Sequence, residues 1–282
     1  MIVGSRKSRR TWTIVTYATV LAFLLFTTLP LVWLVLTSVK PENEIVTALG
    51  VKYWPDQITF DNYTNIWWQS GFSVLVFNSA KTTLMTIAIC LVAGSLGAYA
   101  FSRFRFPGRN QMLLGLLVVR MFPAVVKIIP LFIIMRSLSL LDSSFGLALA
   151  YSSFLLPLFV WIMKGFFDAL PDDLEEAARI DGCTRLGAMV RIVLPLARNG
   201  LVATTVFVAI GAWNEFLFAL MLTTSQGSRT WPVGLQLMIG EFQLPWGMLA
   251  AGGVISIIPV VVLFAFIQRV LVSGLTTGAV KG

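Results

Sequence analysis

Residues 12–39 include no charged side chain. As a helix rising 1.5 Å per residue, that run is longer than the roughly 30 Å hydrocarbon core of a bilayer. Five further apolar runs follow, over about residues 73–100, 111–134, 145–166, 201–222 and 248–271. Lipid offers backbone N–H and C=O groups no hydrogen bonds, so a segment that crosses it must satisfy them internally, as a helix does. The sequence therefore predicts an all-α polytopic membrane protein with six transmembrane helices. Composition agrees: the 282 residues are 57% hydrophobic and only 12% charged, about half the charged share of soluble domains. The first run follows Arg6, Lys7, Arg9 and Arg10, as in a signal peptide. It is too long for an h-region and has no convincing small-residue cleavage site, so it is read as a retained span.

The net charge of +8 is a property shared by nucleic-acid binders, but its distribution fits membrane orientation better. The basic residues cluster between apolar runs: four at the N-terminus, Arg103, Arg105 and Arg109 in the second-to-third connection, and Lys164, Arg179, Arg185, Arg191 and Arg198 in the fourth-to-fifth. The opposite side has Lys40, Lys52, Arg136 and Arg229. This asymmetry predicts cytoplasmic termini and no nucleic-acid partner. The absence of histidine removes His-based metal sites and any Ser-His or Cys-His nucleophile pair. Cys90 and Cys183 offer no disulfide framework.

Three regions are expected. Residues 1–72 hold the N-terminus, the first span and an extracytoplasmic segment whose Trp67 and Trp68 suit a membrane interface. Residues 73–271 form the core, with a charged cytoplasmic insert at about 167–200, and residues 272–282 form a cytoplasmic tail. The insert's "DDLEEAARIDG" opens with acids after Pro171, where a helix dipole favours them, and closes on Gly182, a natural helix stop. A second helical pattern puts Leu186, Met189, Val190 and Val193 on one face, before Pro195 bends or ends it. By itself this is a solvated loop or a helix offered to a partner's groove.

Glu176, Ala177, Ala178, Gly182, Ile192, Leu194 and Pro195 fill every fixed position of an EAA-x3-G-x9-I-x-L-P pattern. This resembles the EAA loop of ATP-binding-cassette importer permeases. "FNSAKTT" at 77–83, "AYAFSRFRFPGR" at 98–109, "MFPAVVKIIPL" at 121–131, "GAWNEFLFALMLT" at 211–223 and the C-terminal "GLTTGAVKG" are similar to carbohydrate-uptake permeases of the MalG type. The resemblance implies a type I importer transmembrane domain without catalytic residues, forming half of a heterodimeric pore. A second homologous permease, two ATP-binding subunits, an extracytoplasmic solute-binding protein and a sugar or polyol would be its partners in the bilayer. Glu175, Glu176, Ala177, Ala178, Asp181, Gly182, Ile192, Leu194 and Pro195 would couple to the ATPase. Independently, no G-x-x-x-x-G-K-[ST] loop occurs, so ATP and Mg are expected on the partner subunits, with no cofactor or metal on this chain.

Polar residues inside spans usually face a bundle interior or an aqueous path. The candidates are Asn78, Lys81, Arg120, Lys127, Trp213, Asn214 and Glu215. Trp213 beside an amide and a carboxylate suits a sugar ring; equally, Glu215 could pair with Arg120 or Lys81 to hold helices together. Lys127 lies near a span end, where it could snorkel. Pro123, Pro130, Pro157 and Pro259 lie in the spans, as hinges or as static kinks. The competing class is an ion-coupled secondary transporter, whose site would lie between internal repeats; none is visible. A membrane enzyme lacks any cluster of acid, base and nucleophile.

Overall fold

The computed structural model describes residues 6–47, 50–240 and 244–278. The chain forms two compact units, Met1–Gly71 with Met238–Ser256, and Phe72–Leu237 with Ile257–Gly282.

The first unit begins with α1 (Arg6–Ser38). Its apolar side chains are largely exposed from Trp12 onward, Phe26 to 79%, as a lipid-facing helix requires. Then come α2 (Glu42–Ile45), an antiparallel strand pair β1 (Val46–Thr47) and β2 (Gly50–Val51), and α3 (Asp61–Thr64), which runs into a π turn at Asn65–Gln69. Lys40 organises this connection. Its side chain is fully buried, and Nζ donates to the carbonyls of Lys52 at 2.7 Å and Tyr53 at 2.9 Å, 4.5 Å from the centre of the Trp33 ring. Burial pushes the ammonium below the usual lysine range, against the pull of Glu44. Asn62 donates to the carbonyls of Ser38 and Lys40, so the chain leaving α1 is held by two side chains. Trp68 is exposed and Trp67 half-buried.

The second unit opens with one long span: α4 (Phe72–Ile89), a π turn at Cys90–Gly94, and α5 (Ser95–Arg103). Next are α6 (Arg109–Met121) and α7 (Ala124–Ser137), then α8 (Ser144–Asp168). The insert comprises α9 (Asp173–Ile180), α10 (Arg185–Ala188), a π turn at Met189–Val193 and α11 (Leu194–Leu196). After it come α12 (Arg198–Trp213), α13 (Leu217–Leu222), α14 (Trp231–Leu237) and α15 (Trp246–Gly278), whose start lies in the first unit. The core centres on α8, whose Tyr151, Phe159, Met163 and Phe167 are fully buried. Gly94 lets α8 approach: a Cβ there would lie 2.4 Å from the Phe159 ring, closer than van der Waals contact permits.

Among the described residues, four helices are long and apolar enough to cross a membrane, and six segments are if each bent pair counts as one span. Two spans differ from the sequence expectation. The third breaks between α6 and α7 by 103°, because proline drives the preceding residue out of the helical region; Phe122 is extended at φ −65°, ψ 130°. Pro130, Pro157 and Pro259, by contrast, lie inside continuous helices. The fifth, expected to run unbroken over 201–222, stops at Trp213 and restarts at Leu217. It also meets the insert at an 83° bend after Leu196. The tail expected at 272–282 is helical to Gly278, and residues 279–282 lie outside the described residues.

Asp142, between α7 and α8, takes a left-handed conformation (φ 55°), which aspartate tolerates better than most residues. Its Oδ1 accepts the amides of Thr224 at 2.8 Å and Ser225 at 2.9 Å and the Ser228 hydroxyl, while its own amide donates to the Leu222 carbonyl at 2.8 Å. Burial pushes this carboxyl up, but the hydrogen bonds from Ser228, Ser225 and Thr224 together outweigh it and hold it well below the usual carboxylate range. A depressed folded-state pKa stabilises the fold at all pH values above about 4, the unfolded value, and that stability is lost as pH falls through the folded value. Thermal denaturation of the detergent-solubilised chain should therefore show no pH dependence from Asp142 between about pH 5 and 8. Asp142→Ala should cost on the order of 2 kcal/mol throughout that range, the worth of hydrogen bonds to a charged group.

Candidate functional site

The insert is a helix–turn–helix. α9 ends in a closed cap: the Gly182 amide donates to the Arg179 carbonyl at 3.1 Å and the Cys183 amide to that of Ala178 at 2.9 Å. This paired closure needs a left-handed residue between the helices, and Gly182 supplies it at φ 90°. A Cβ there would meet nothing within 4 Å, so backbone conformation, not space, selects glycine. Thr184 then caps α10 by accepting the Gly187 amide at 3.0 Å.

The insert has an inner and an outer face. Ala178, Ala188, Met189 and Val193 are buried. Glu176, Ala177, Asp181 and Pro195 are exposed, Ile192 and Leu194 half-buried, and Ile180 is 86% exposed with Leu174, Leu186 and Val190 also open. The predicted stripe of Leu186, Met189, Val190 and Val193 thus divides, two residues packing inward and two facing out. Its π turn, with wider spacing than an α-helix, covers Met189–Val193.

Glu175 belongs to the inner face and is buried. Its Oε2 accepts the Tyr99 hydroxyl at 2.6 Å, and its Oε1 accepts from Arg103 Nε. Tyr99 and Arg103 are one helical turn apart on α5, so both reach it from the same face. Arg185 stacks on the Phe104 ring at 5.0 Å. Sequence reasoning counted Arg103 only as an orientation charge; the i, i+4 spacing of a tyrosine and an arginine at a span end was the readable signal.

Three of the seven polar candidates for the pathway, Asn78, Asn214 and Glu215, bond to backbone groups. Asn78 is buried and donates to the carbonyls of Gln226 and Arg229, each at 3.0 Å. Glu215 accepts the amides of Phe218 at 2.9 Å and Ala219 at 3.1 Å, serving the first turn of α13 where the fifth span is interrupted. Among the described residues it forms no ion pair with Arg120 or Lys81, both of which are exposed. Asn214 donates to the Ile210 carbonyl. Trp213 is buried beside Trp231, whose indole N–H donates to the Trp213 carbonyl at 2.8 Å. Lys127 lies 5.8 Å from the centre of the Phe154 ring.

Residues 90–277 match the family described as the binding-protein-dependent transport system inner membrane component. The chain belongs to that family and is a multi-pass membrane protein. It is 40% identical over 256 residues to the trehalose transport system permease protein SugB of Mycobacterium tuberculosis, covering 90% of this chain and 92% of that one. It is 38% identical over 253 residues to the sulfoquinovosyl glycerol transport system permease protein SmoH of Agrobacterium fabrum, covering 90% and 88%. Among solved structures it resembles a chain of a bacterial ABC transporter involved in importing the acidic polysaccharide alginate, with a TM-score of 0.81 and 26% identity over 95% of this chain and 99% of that one. The fold is that of a type I importer transmembrane domain.

Gly182→Val should open the α9 cap at a local cost on the order of 1–2 kcal/mol, the price of a left-handed branched residue. Hydrogen exchange should then quicken roughly tenfold at the Cys183 amide, with membrane abundance unchanged; unaltered exchange would mean the cap does not depend on glycine.

Proposed function

We propose that this chain, a non-catalytic permease subunit of a sugar-importing ATP-binding-cassette transporter, forms half of a pore completed by a second, homologous permease. In this reading the outer face of the insert docks in a cleft on an ATPase subunit. The observation that carries it is Ile180, an isoleucine 86% exposed on a charged, closed turn, beside exposed Glu176 and Asp181. Leaving a large aliphatic side chain in water forgoes about 1.5–3 kcal/mol of burial, which a partner's groove would recover. The EAA pattern falls on this same turn.

The remaining parts of the reading follow from that docking. Two ATPase subunits bind ATP and Mg, consistent with the lack of a phosphate-binding loop in this chain. The excess of basic residues in the connections on the insert's side puts the insert and both termini in the cytoplasm. A solute-binding protein delivers a sugar or polyol from the other face. The named cargoes of the relatives include trehalose and sulfoquinovosyl glycerol, which supports a glycoside or polyol class for this chain.

Uptake by the reconstituted complex should persist when proton and sodium gradients are collapsed and ATP is maintained; uptake that then ceases would indicate an ion-coupled carrier. Ile180→Asp should weaken ATPase binding at least about tenfold, as loss of an interface anchor does. Undiminished pull-down of the ATPase by that variant, at normal membrane abundance, would remove the turn from the interface.

A further inference from the structure

Adjacent acids in the insert have different surroundings. Glu176 is exposed, whereas both carboxylate oxygens of Glu175 are taken by residues of α5. The grip of α5 on the insert is wider than this pair. Arg103, whose side chain is 12% exposed, directs Nε to Glu175, Nη1 to Asp172 Oδ1 at 3.0 Å, and Nη2 to the Leu170 carbonyl at 3.2 Å. One planar guanidinium thus holds three points of the chain entering the insert, a fork that lysine could not reproduce. Ser102 accepts from Arg103 at 3.2 Å and donates to Asp168 Oδ1 at 2.6 Å, tying the end of α8 to the same cluster. Breaking a buried charge pair of this kind strands its partner and is strongly unfavourable.

We infer that Arg103, with Tyr99 and Glu175, is the clasp through which displacement of the docked insert is transmitted to the second span. α9 and α5 then move as one body. The compliant element is the π turn at Cys90–Gly94, which separates α5 from α4; single π turns are local departures from regular helix, frequent at functional sites. These three are positioning residues, since none lies on the outer face. The inference rests on the docking reading above, and its test separates the two.

The complex is reconstituted with its partner permease, ATPase subunits and binding protein. Arg103→Gln and Glu175→Gln should keep normal membrane abundance and normal ATPase pull-down while lowering solute moved per ATP hydrolysed at least about tenfold; Arg103→Lys, retaining charge and one contact, should fall between. A residue needed only for folding would change abundance or pull-down and leave that ratio intact. Wild-type coupling in both neutral variants, or loss of the ATPase from either, would overturn the clasp. An independent measurement needs no clasp variant: spin labels at Leu96→Cys on α5 and Asp173→Cys on α9, with Cys90 and Cys183 replaced by serine. Their separation should stay constant between nucleotide-free and ATP-bound complexes, and a change would overturn the inference. Undiminished ATPase pull-down by Ile180→Asp would sink the docking reading instead, leaving intact the wild-type complex in which the distance test of the clasp is made.

Discussion

Hydrocarbon accepts and donates no hydrogen bonds, and the rest of this structure is arranged around that fact. A continuous helix meets the constraint unaided, but each interruption frees backbone groups that must find a partner. Glu215 supplies acceptors for the amides of α13, and Glu42 does the same for Trp246 and Gly247 at the start of α15. Asn78 and Lys40 act in reverse, donating to carbonyls of connections that have left the helical path. Two of the polar residues that stand out inside the apolar runs, Asn78 and Glu215, thus serve backbone groups where helices break.

The same economy shapes the insert. Successive helical residues point about 100° apart, so Glu175 packs against α5 while Glu176 stays exposed, and α9 divides its charge between two surfaces. The inner acid fixes α9 to α5; the outer acid and Ile180 remain free for a partner. A cap closed by Gly182 holds the two faces in register. The insert therefore combines a firm mounting on α5 with an exposed outer surface.

Some of this was legible in the sequence. Six apolar runs located the spans, acids after Pro171 and a glycine stop located α9, and the EAA pattern marked the turn. The break in the third span was signalled by Pro123, because the ring's effect on the preceding residue is local. The break at residues 214–216 carried no such mark. Glutamate is compatible with a helix interior, and only its bond to amides three and four residues later turns it into a cap. Asp142 gave no signal either, since its partners lie more than eighty positions along the chain.

What the sequence alone determined was the number and length of apolar segments, their separation by basic connections, and the site of one rigid polar turn. These depend on composition and short-range spacing, which act within a few residues. Tertiary structure decided which acid faces in, which amides Glu215 and Asn78 serve, and that Arg103 grips the insert. Each of those outcomes joins groups whose partners sit far apart in the chain or compete with equally suitable neighbours, and only packing of the helices brings one choice within hydrogen-bond distance.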